Sequence, residues 1–343
     1  MKIGLVGYQG GGKSSLFQLL TGLAPDPSKV HSGQVGMATI HDDRFDGLVK
    51  LFNPKKITPA KIELFDTPGL SRSQQEGNAQ KLGIIRESAV LVQVIGLFTG
   101  VDPVSEATAF QDDIILADLQ AVENRLERLK KDIARARPDR AELQKEFDAL
   151  EPIAARLNAG ELLRDLKFTE IQEKACQSFQ LLARKPRLIV LNTSDSQVDP
   201  AILEKVTALG DRVVAGPVGL ELEVASLPEA DREEFAAAMG LTDSSKALLL
   251  KSIFEITDLI TFFTSDEKEV HAWLLTRGST ALEAAGSIHT DLARGFIRAE
   301  IMSVADLLRL GSEREVKAAG LHHVQGKEYI MQDGDEIVVR FSV

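Results

Sequence analysis

The sequence contains a single cysteine, so no disulfide can form within the chain, and a reducing compartment fits. No apolar run approaches the roughly 20 residues that a membrane-spanning helix needs. The six histidines show neither metal-ligand spacing nor a Ser/His/Asp arrangement. The 40 lysines and arginines are outnumbered by 51 acidic residues, which argues against general coating of nucleic acid. We therefore expect a cytoplasmic protein without a membrane partner.

A complete phosphate-binding motif, G-x-x-x-x-G-K-[ST], occupies Gly7–Ser14. The apolar run Lys2–Val6 before it favours a buried strand, and Ser15–Leu20 after it favours a helix, which is the context that the motif requires. We expect backbone N–H groups to surround a phosphate, Lys13 to reach the β- and γ-phosphates, and Ser14 to ligate Mg²⁺. The predicted phosphate-binding residues are Gly7, Gly10, Gly11, Gly12, Lys13, Ser14, Ser15 and Gly69.

A second motif, D-x-x-G, occupies Asp66–Gly69 and follows the alternating strand pattern of Ile62–Phe65. In P-loop NTPases such an acid holds Mg²⁺ through water, and the glycine N–H faces the γ-phosphate. We predict these roles for Asp66 and Gly69. A strand that simply ends in a turn would carry the same letters. The spacing from the first motif favours the nucleotide site and leaves room for a helix, a switch segment and one more strand.

Leu70 follows the second motif at the position where Ras-like enzymes place the Gln that orients the attacking water. Leucine has no hydrogen-bonding group, so we expect slow intrinsic hydrolysis unless a partner or another side chain supplies one. The catalytic residue therefore stays unassigned. Thr39 is the nearest candidate for a switch threonine that ligates Mg²⁺, but it alternates within Met37–Ile40 and also fits a strand.

A third motif, N-x-x-D, occupies Asn192–Asp195 after the predicted buried strand Arg187–Leu191. The predicted base-binding residues are Asn192, Thr193 and Asp195. An Asp in this loop can accept both N1–H and N2–H₂ of guanine, which favours GTP. Thr193 stands where a Lys is usual, and its short side chain cannot cover the base, so ATP stays open as well.

The remaining pattern predicts an inserted helical hairpin and a C-terminal module of short strands. One apolar stripe has heptad spacing and a second follows it, which together indicate two paired helices. The stripe residues are Ile115, Leu119, Val122, Leu126, Leu129 and Ile133, then Leu143, Phe147, Leu150, Ala154 and Leu157. Cys176 falls in a predicted helix, Gln172–Ala183, and is expected to be buried. Near the end, Tyr329–Met331 and Ile337–Phe341 predict a closing hairpin-like pair.

With these motifs in place, the chain resembles the YchF family of Obg-related P-loop GTPases and ATPases over nearly its whole length. The most specific stretches are Gly286–Asp291, Gly295–Glu300 and Gln332–Asp335. The resemblance implies a G domain, an inserted hairpin and a C-terminal TGS (ubiquitin-like) domain. It also implies hydrolysis of GTP or ATP, often with ATP preferred, and association with ribosomes or RNA as a switch in translation or stress.

Several residues depart from the family pattern. Gly10 stands where the family usually has Asn, Pro68 where it has Ala, and Asp195 where it has Glu. The stretch between the phosphate loop and Asp42 is shorter than the family's. The first departure removes any role of that Asn, and the third leaves the choice of base open.

We therefore predict an α/β fold with a P-loop NTPase G domain, whose mostly parallel sheet carries helices on both faces. Residues 1–103 and 185–264 form this domain, 104–184 the inserted coiled-coil hairpin, and 265–343 a TGS-like β-grasp domain. The predicted function is Mg²⁺-dependent hydrolysis of GTP or ATP. One alternative is a nucleotide-binding scaffold with little hydrolysis, which Leu70 keeps open. Another is a phosphotransferase, which would need a lid with catalytic arginines that the hairpin does not resemble.

Overall fold

The computed structural model describes residues 1–73, 77–135, 138–195, 198–241 and 245–342, with only the backbone of Ser245. The strands are β1 (Lys2–Val6), β2 (Gln34–Thr39), β3 (Lys56–Thr58), β4 (Lys61–Asp66), β5 (Val90–Gly96), β6 (Arg187–Asn192), β7 (Arg212–Gly216), β8 (Leu259–Ser265), β9 (Glu269–Thr276), β10 (Phe296–Ser303), β11 (His323–Gln325) and β12 (Asp335–Phe341). The helices are α1 (Lys13–Thr21), α2 (Asp43–Phe52), α3 (Asn78–Ile85), α4 (Pro103–Ile133), α5 (Arg140–Asn158), α6 (Glu170–Cys176), α7 (Pro200–Thr207), α8 (Val218–Ser226), α9 (Glu229–Ala238), α10 (Ser245–Glu255), α11 (Ala281–Ile288), α12 (Thr290–Arg294), α13 (Val304–Leu310) and α14 (Glu313–Ala318). Over these described ranges, no helix combines the length and apolar character needed to cross a bilayer.

By its internal contacts the chain divides into two compact units. Residues 1–36 and 63–256 form the first unit, and residues 37–62 and 257–343 form the second. This division differs from the predicted boundaries, because residues 37–62 and 257–264 group with the C-terminal segment rather than with the phosphate loop. The hairpin belongs to the first unit, and its status as a separate domain stays a prediction.

The first sheet is mostly parallel, as predicted. Its strand order is β2-β4-β1-β5-β6-β7. The neighbours β4 and β1, β1 and β5, β5 and β6, and β6 and β7 are all parallel pairs. Strands β5 and β6 are buried along their whole length, which is the pattern of parallel strands covered on both faces.

Helices α4 and α5 form the predicted hairpin. Leu126 of α4 and Leu150 of α5 are buried in one apolar cluster, so the two stripes face each other. A bidentate ion pair between Arg125 and Glu146, with an Nε–Oε1 distance of 2.7 Å, joins the two helices. Helix α4 begins earlier than the heptad pattern indicates, since the side chain of Asp102 caps it by accepting the N–H of Ser105 at 2.9 Å.

Residues 37–62 belong to the second unit because they contribute a helix and a strand to it. Phe45 and Leu48 of α2 are buried in a cluster with residues of β8, β9, β10 and α13. Arg44 of α2 donates to the carboxylate of Asp333 at 2.8 Å. Strand β3 pairs with β9 in parallel, with Ile57 beside Val270. The spacing between the two motifs leaves room for a helix, but it does not indicate which element the apolar face of that helix packs against.

The second sheet has the order β11-β10-β12-β8-β9-β3. Its strand β12 lies between β10, an antiparallel neighbour, and β8, a parallel one. The predicted pairing of Tyr329–Met331 with the last strand is wrong, because both edges of β12 are already occupied. Tyr329–Met331 instead forms hydrogen bonds with the residues around the start of α11. The N–H of Ala281 donates to Tyr329 O at 2.8 Å, and the N–H of Met331 donates to Ser279 O at 3.0 Å.

Cys176 is 5% exposed, as expected for a small apolar residue, although its helix ends here rather than at Ala183. Burial raises the pKa of its thiol to about 11, so the thiolate is scarce at neutral pH.

A buried ion pair joins helix α4 of the hairpin to the segments that precede β5 and β6. Asp118 of α4 is fully buried, accepts from the guanidinium of Arg86 at 2.5 Å, and accepts the backbone N–H of Ala183 at 2.8 Å. We expect Asp118→Ala to lower the free energy of unfolding by about 3–5 kcal/mol, because Arg86 would lose its anionic partner and keep only backbone carbonyl acceptors. Urea denaturation measures the change.

The matched control for that change is Glu161→Ala, which removes an ion pair with Arg156 in which both side chains are 50% exposed. It should cost under about 1 kcal/mol. Equal losses for the two variants would contradict a structural role for the buried pair.

Candidate nucleotide-binding site

The predicted loops converge because the strands that precede them end at the same edge of the first sheet. Leu5 of β1 lies beside Asp66 at the end of β4. Gly96, Asn192 and Gly216, the last residues of β5, β6 and β7, lie beside one another in register. Crevices at the carboxyl ends of parallel strands are where open α/β sheets bind ligands.

The phosphate loop leads from β1 into the N-terminus of α1. Gly12 is the residue before the helix and has φ +93°, and a Cβ there would lie 2.1 Å from Nδ2 of Asn192, so a larger residue is excluded. No side chain caps the first turn of α1. The free N–H groups and the helix dipole therefore face the loop, which is the arrangement that binds phosphate.

Lys13 is buried at the base of this loop. Its side chain is 6% exposed, and its ammonium donates to the backbone O of Tyr8 at 2.7 Å. Burial lowers the pKa of Lys13 to about 8, although the charge of Asp66 opposes this change. A nearby anion would favour the charged form of this ammonium.

Ser14 and Asp66 meet at the same place. The Ser14 hydroxyl donates to Oδ2 of Asp66 at 2.7 Å. Oδ1 of Asp66 is buried and accepts no hydrogen bond from the described residues. Burial raises the pKa of Asp66, while the Ser14 hydroxyl and the Lys13 charge act in the other direction. A buried carboxylate oxygen without a donor has a free coordination position for a cation.

The D-x-x-G segment is held against the phosphate loop by backbone hydrogen bonds. The N–H of Gln9 donates to Leu70 O at 2.9 Å, and the N–H of Leu70 donates to Gly7 O at 3.1 Å. The Thr67 hydroxyl donates to Leu5 O at 2.7 Å. Leu70 itself is fully buried in the apolar cluster that contains the hairpin stripes, so its side chain cannot reach a bound water.

A cavity of about 290 Å³ opens over these groups. Of the predicted site residues, it is lined by Gly10, Lys13, Ser14, Asp66 and Gly69. Gly7, Gly11, Gly12 and Ser15 lie in the loop and the first turn of α1 but do not line the cavity. The cavity is also lined by residues that the motifs did not identify, among them Gln9, Asp26, Lys29, His31, Gln34 and Lys81. In the sequence, the feature that could have identified Lys29 was its positive charge in the stretch between the two motifs.

The base loop is attached to the phosphate loop through Asn192. Its Nδ2 donates to Gly11 O at 3.2 Å, and its Oδ1 accepts the N–H of Val218 at 3.2 Å. The Thr193 hydroxyl donates to the backbone O of Asp195 at 2.6 Å. Asn192 and Thr193 therefore use their side chains to hold the loop, whereas Asp195 is exposed.

Phe98, which the motifs did not identify, lies next to these residues. The residue is 53% exposed, which is unusual for a phenylalanine, and its ring borders the glycine loop. A Cβ built on Gly96 would lie 2.9 Å from its Cε1, and one built on Gly12 would lie 4.0 Å from the same atom. An exposed aromatic face at the edge of a nucleotide site offers a stacking surface for a base.

Known proteins share this architecture. A family model described as 50S ribosome-binding GTPase matches residues 2–133, and YchF-GTPase_C, described as a protein of unknown function (DUF933), matches residues 259–342. The Ribosome-binding ATPase YchF of Bacillus subtilis (strain 168) is 34% identical over 364 residues, covering 99% of both chains. That of Haemophilus influenzae is 31% identical over 363 residues, covering 100% of this chain and 99% of its own. The solved structure of the Schizosaccharomyces pombe YchF GTPase matches with a TM-score of 0.84 and 26% identity, covering 99% of this chain and 97% of that one.

The burial of Leu70 makes its substitution a test of packing. We expect Leu70→Gln to lower the free energy of unfolding by about 1–3 kcal/mol, because the amide would enter the apolar cluster without a partner. Leu70→Met, which conserves volume and polarity, should cost under about 1.5 kcal/mol. Urea denaturation distinguishes the two, and a Gln variant as stable as the Met variant would show that this side chain can reach water.

Proposed function

The chain belongs to the YchF family, and we propose that it is a P-loop NTPase that hydrolyses ATP or GTP with Mg²⁺ at the ribosome. The observation that supports this most directly is that one cavity is lined both by a group suited to an anion and by a group suited to a cation. The buried ammonium of Lys13 has its pKa lowered, and the half-buried carboxylate of Asp66 has a buried oxygen, Oδ1, that accepts no hydrogen bond from the described residues. A triphosphate with its metal ion would satisfy both.

The Ser14 hydroxyl and the Asp66 carboxylate fit a Mg²⁺ site. Magnesium prefers hard oxygen ligands and keeps several waters. Here one hydroxyl oxygen and one carboxylate lie 2.7 Å apart, and the second carboxylate oxygen is unpartnered among the described residues. We propose that Ser14 ligates the ion and that Asp66 holds it through water. When bound, the ion neutralises charge on the phosphate oxygens.

The chain's own residues supply the rest of the phosphate site. We propose that the loop residues Gly10–Ser15 surround the phosphates with backbone N–H groups and that Lys13 contacts the β- and γ-phosphates. Lys29 and Lys81 line the same cavity and add positive charge at its mouth. Gly69 has no side chain to crowd the Lys13 ammonium, whereas a Cβ there would lie 2.8 Å from Nζ of Lys13 and 3.1 Å from Cα of Gln9. Its backbone N–H can therefore approach the terminal phosphate closely.

The candidate contacts for the base come from residues near Asn192. Asp195 lies in the exposed part of the loop after β6, and Phe98 is exposed beside the glycine loop, so we propose that the Asp195 carboxylate and the ring of Phe98 contact the base. Asp195 favours guanine, which offers two donors together. Phe98 favours neither base, because both purines have a face on which it can stack.

Association with the ribosome is proposed from the relatives, which are named ribosome-binding ATPases and cover the whole chain. The scaffold alternative is favoured by the buried Leu70, because the usual water-orienting position carries no polar group. A single-turnover assay of phosphate release, with and without ribosomes, separates the two functions. Release of phosphate supports the NTPase, and tight nucleotide binding without release in either condition supports the scaffold.

Because burial lowers the pKa of Lys13 to about 8, nucleotide binding should be linked to a proton. A bound triphosphate raises that pKa, so above pH 8 binding must take up a proton, and affinity should fall by up to about tenfold per pH unit. Calorimetry in buffers of different ionisation enthalpy measures the uptake. Lys13→Ala should abolish tight binding at every pH. Unchanged affinity in that variant would exclude the proposed site.

The two proposed base contacts should differ in selectivity. Asp195→Ala should weaken the binding of GTP more than that of ATP, by a few kcal/mol at most, because only guanine can pair two donors with the carboxylate. Phe98→Ala should weaken the binding of both nucleotides by similar amounts, about 1–3 kcal/mol, because stacking does not depend on the base. Titration with fluorescent GTP and ATP analogues in the presence of Mg²⁺ measures both. An equal effect of Asp195→Ala on the two nucleotides would remove its role in base choice.

A further inference from the structure

The phosphate cavity needs a polar group that orients water, and the usual position cannot supply it. Leu70 is fully buried in an apolar cluster, and its backbone N–H and O are bonded to Gly7 and Gln9. In Ras-like enzymes a glutamine carboxamide at that position orients the attacking water. The replacement must come from another side chain that lines the cavity or from a partner.

Gln9 has the required position. It lies in the phosphate loop, its side chain is exposed, and it lines the cavity together with Lys13, Asp66 and Gly69. A Cβ built on Gly69 would lie 3.0 Å from Cγ of Gln9 and 2.8 Å from Nζ of Lys13. The stem of Gln9, the Lys13 ammonium and the Gly69 backbone thus meet where a terminal phosphate would lie.

The backbone of Gln9 is fixed while its carboxamide is available. Its N–H donates to Leu70 O at 2.9 Å, which holds the residue against the D-x-x-G segment. Within the described ranges, its carboxamide makes no hydrogen bond. The other amide on the cavity wall, that of Gln34, is already used: it accepts the N–H of Asp26 at 2.8 Å and donates to Ala24 O at 3.1 Å.

We propose that the carboxamide of Gln9 orients the attacking water, so that a glutamine of the phosphate loop replaces the one absent at Leu70. This inference rests on the proposed hydrolysis. The water oxygen forms a bond to the γ-phosphorus while the bond from that phosphorus to the β–γ bridging oxygen breaks. The bridging oxygen leaves on the diphosphate with the electron pair, and the water proton passes to a γ-phosphate oxygen. Oε1 of Gln9 accepts a hydrogen bond from the water and takes no proton.

The test compares Gln9→Met with the wild-type chain in single-turnover phosphate release, with Mg²⁺ and with ribosomes present and absent. Methionine keeps the length of the side chain and removes both polar atoms. The rate should fall about 10- to 100-fold, while the dissociation constant for the nucleotide changes less than about threefold. Gln120→Met, the same chemical change on the exposed face of α4, is the matched control and should leave the rate unchanged.

An unchanged rate in Gln9→Met would overturn the proposal, as would a loss of nucleotide affinity that accounts for the whole effect. His31, which lines the same cavity, is the competing group. A rate that survives in Gln9→Met but is lost in His31→Ala would assign the water to His31. Absence of turnover in the wild-type chain under both conditions would instead contradict the proposed hydrolysis itself.

Discussion

The site depends on one constraint, the parallel register of the strands in the first sheet. Because β5, β6 and β7 end in register at Gly96, Asn192 and Gly216, residues far apart in sequence emerge at one edge. The side chain of Asn192 then joins the base loop to the phosphate loop through Gly11 O, and to α8 through the N–H of Val218. A shift of one residue between β5 and β6 would turn these side chains to the other face of the sheet and break both bonds.

The same edge concentrates charges that the protein does not fully satisfy by itself. Burial lowers the pKa of Lys13 and raises that of Asp66, so burial disfavours the ionised form of each side chain. The buried Asp211 is satisfied within the protein: it accepts from both Arg164 and Arg187, and these partners hold its pKa below the usual range. Asp66 differs from Asp211 in having a buried oxygen that accepts no hydrogen bond from the described residues, which fits the ligand proposed for this cavity.

The sequence was informative where one short segment determines the structure. The phosphate loop, the buried strands and the heptad stripes of the hairpin depend on local spacing, and they lie where the patterns predict them. The partner of α2 could not be predicted, because the apolar face of Phe45 and Leu48 specifies burial but not against which element. The pairing of Tyr329–Met331 was wrong for a related reason, since strand-forming residues do not specify which edge is vacant. In the site, residue types indicated Asn192 and Asp195, but only the structure shows that Asn192 is used internally.

Helix α4, which forms one side of the hairpin, contacts both the glycine loop and the segment that follows the D-x-x-G motif. The hydroxyl of Tyr8, in the glycine loop, donates to Asp113 of α4 at 2.8 Å. Arg72, just beyond the D-x-x-G motif, pairs with the buried carboxylate of Glu106 on α4, and its guanidinium lies 5.0 Å from the centre of the Tyr8 ring. Two loops that would contact one phosphate therefore share a single helix as their support. Helix α4 runs without interruption from Pro103 to Ile133 and forms one side of the hairpin. A displacement of either loop that breaks these bonds would therefore change the forces on the N-terminal turns of a helix that extends into the hairpin.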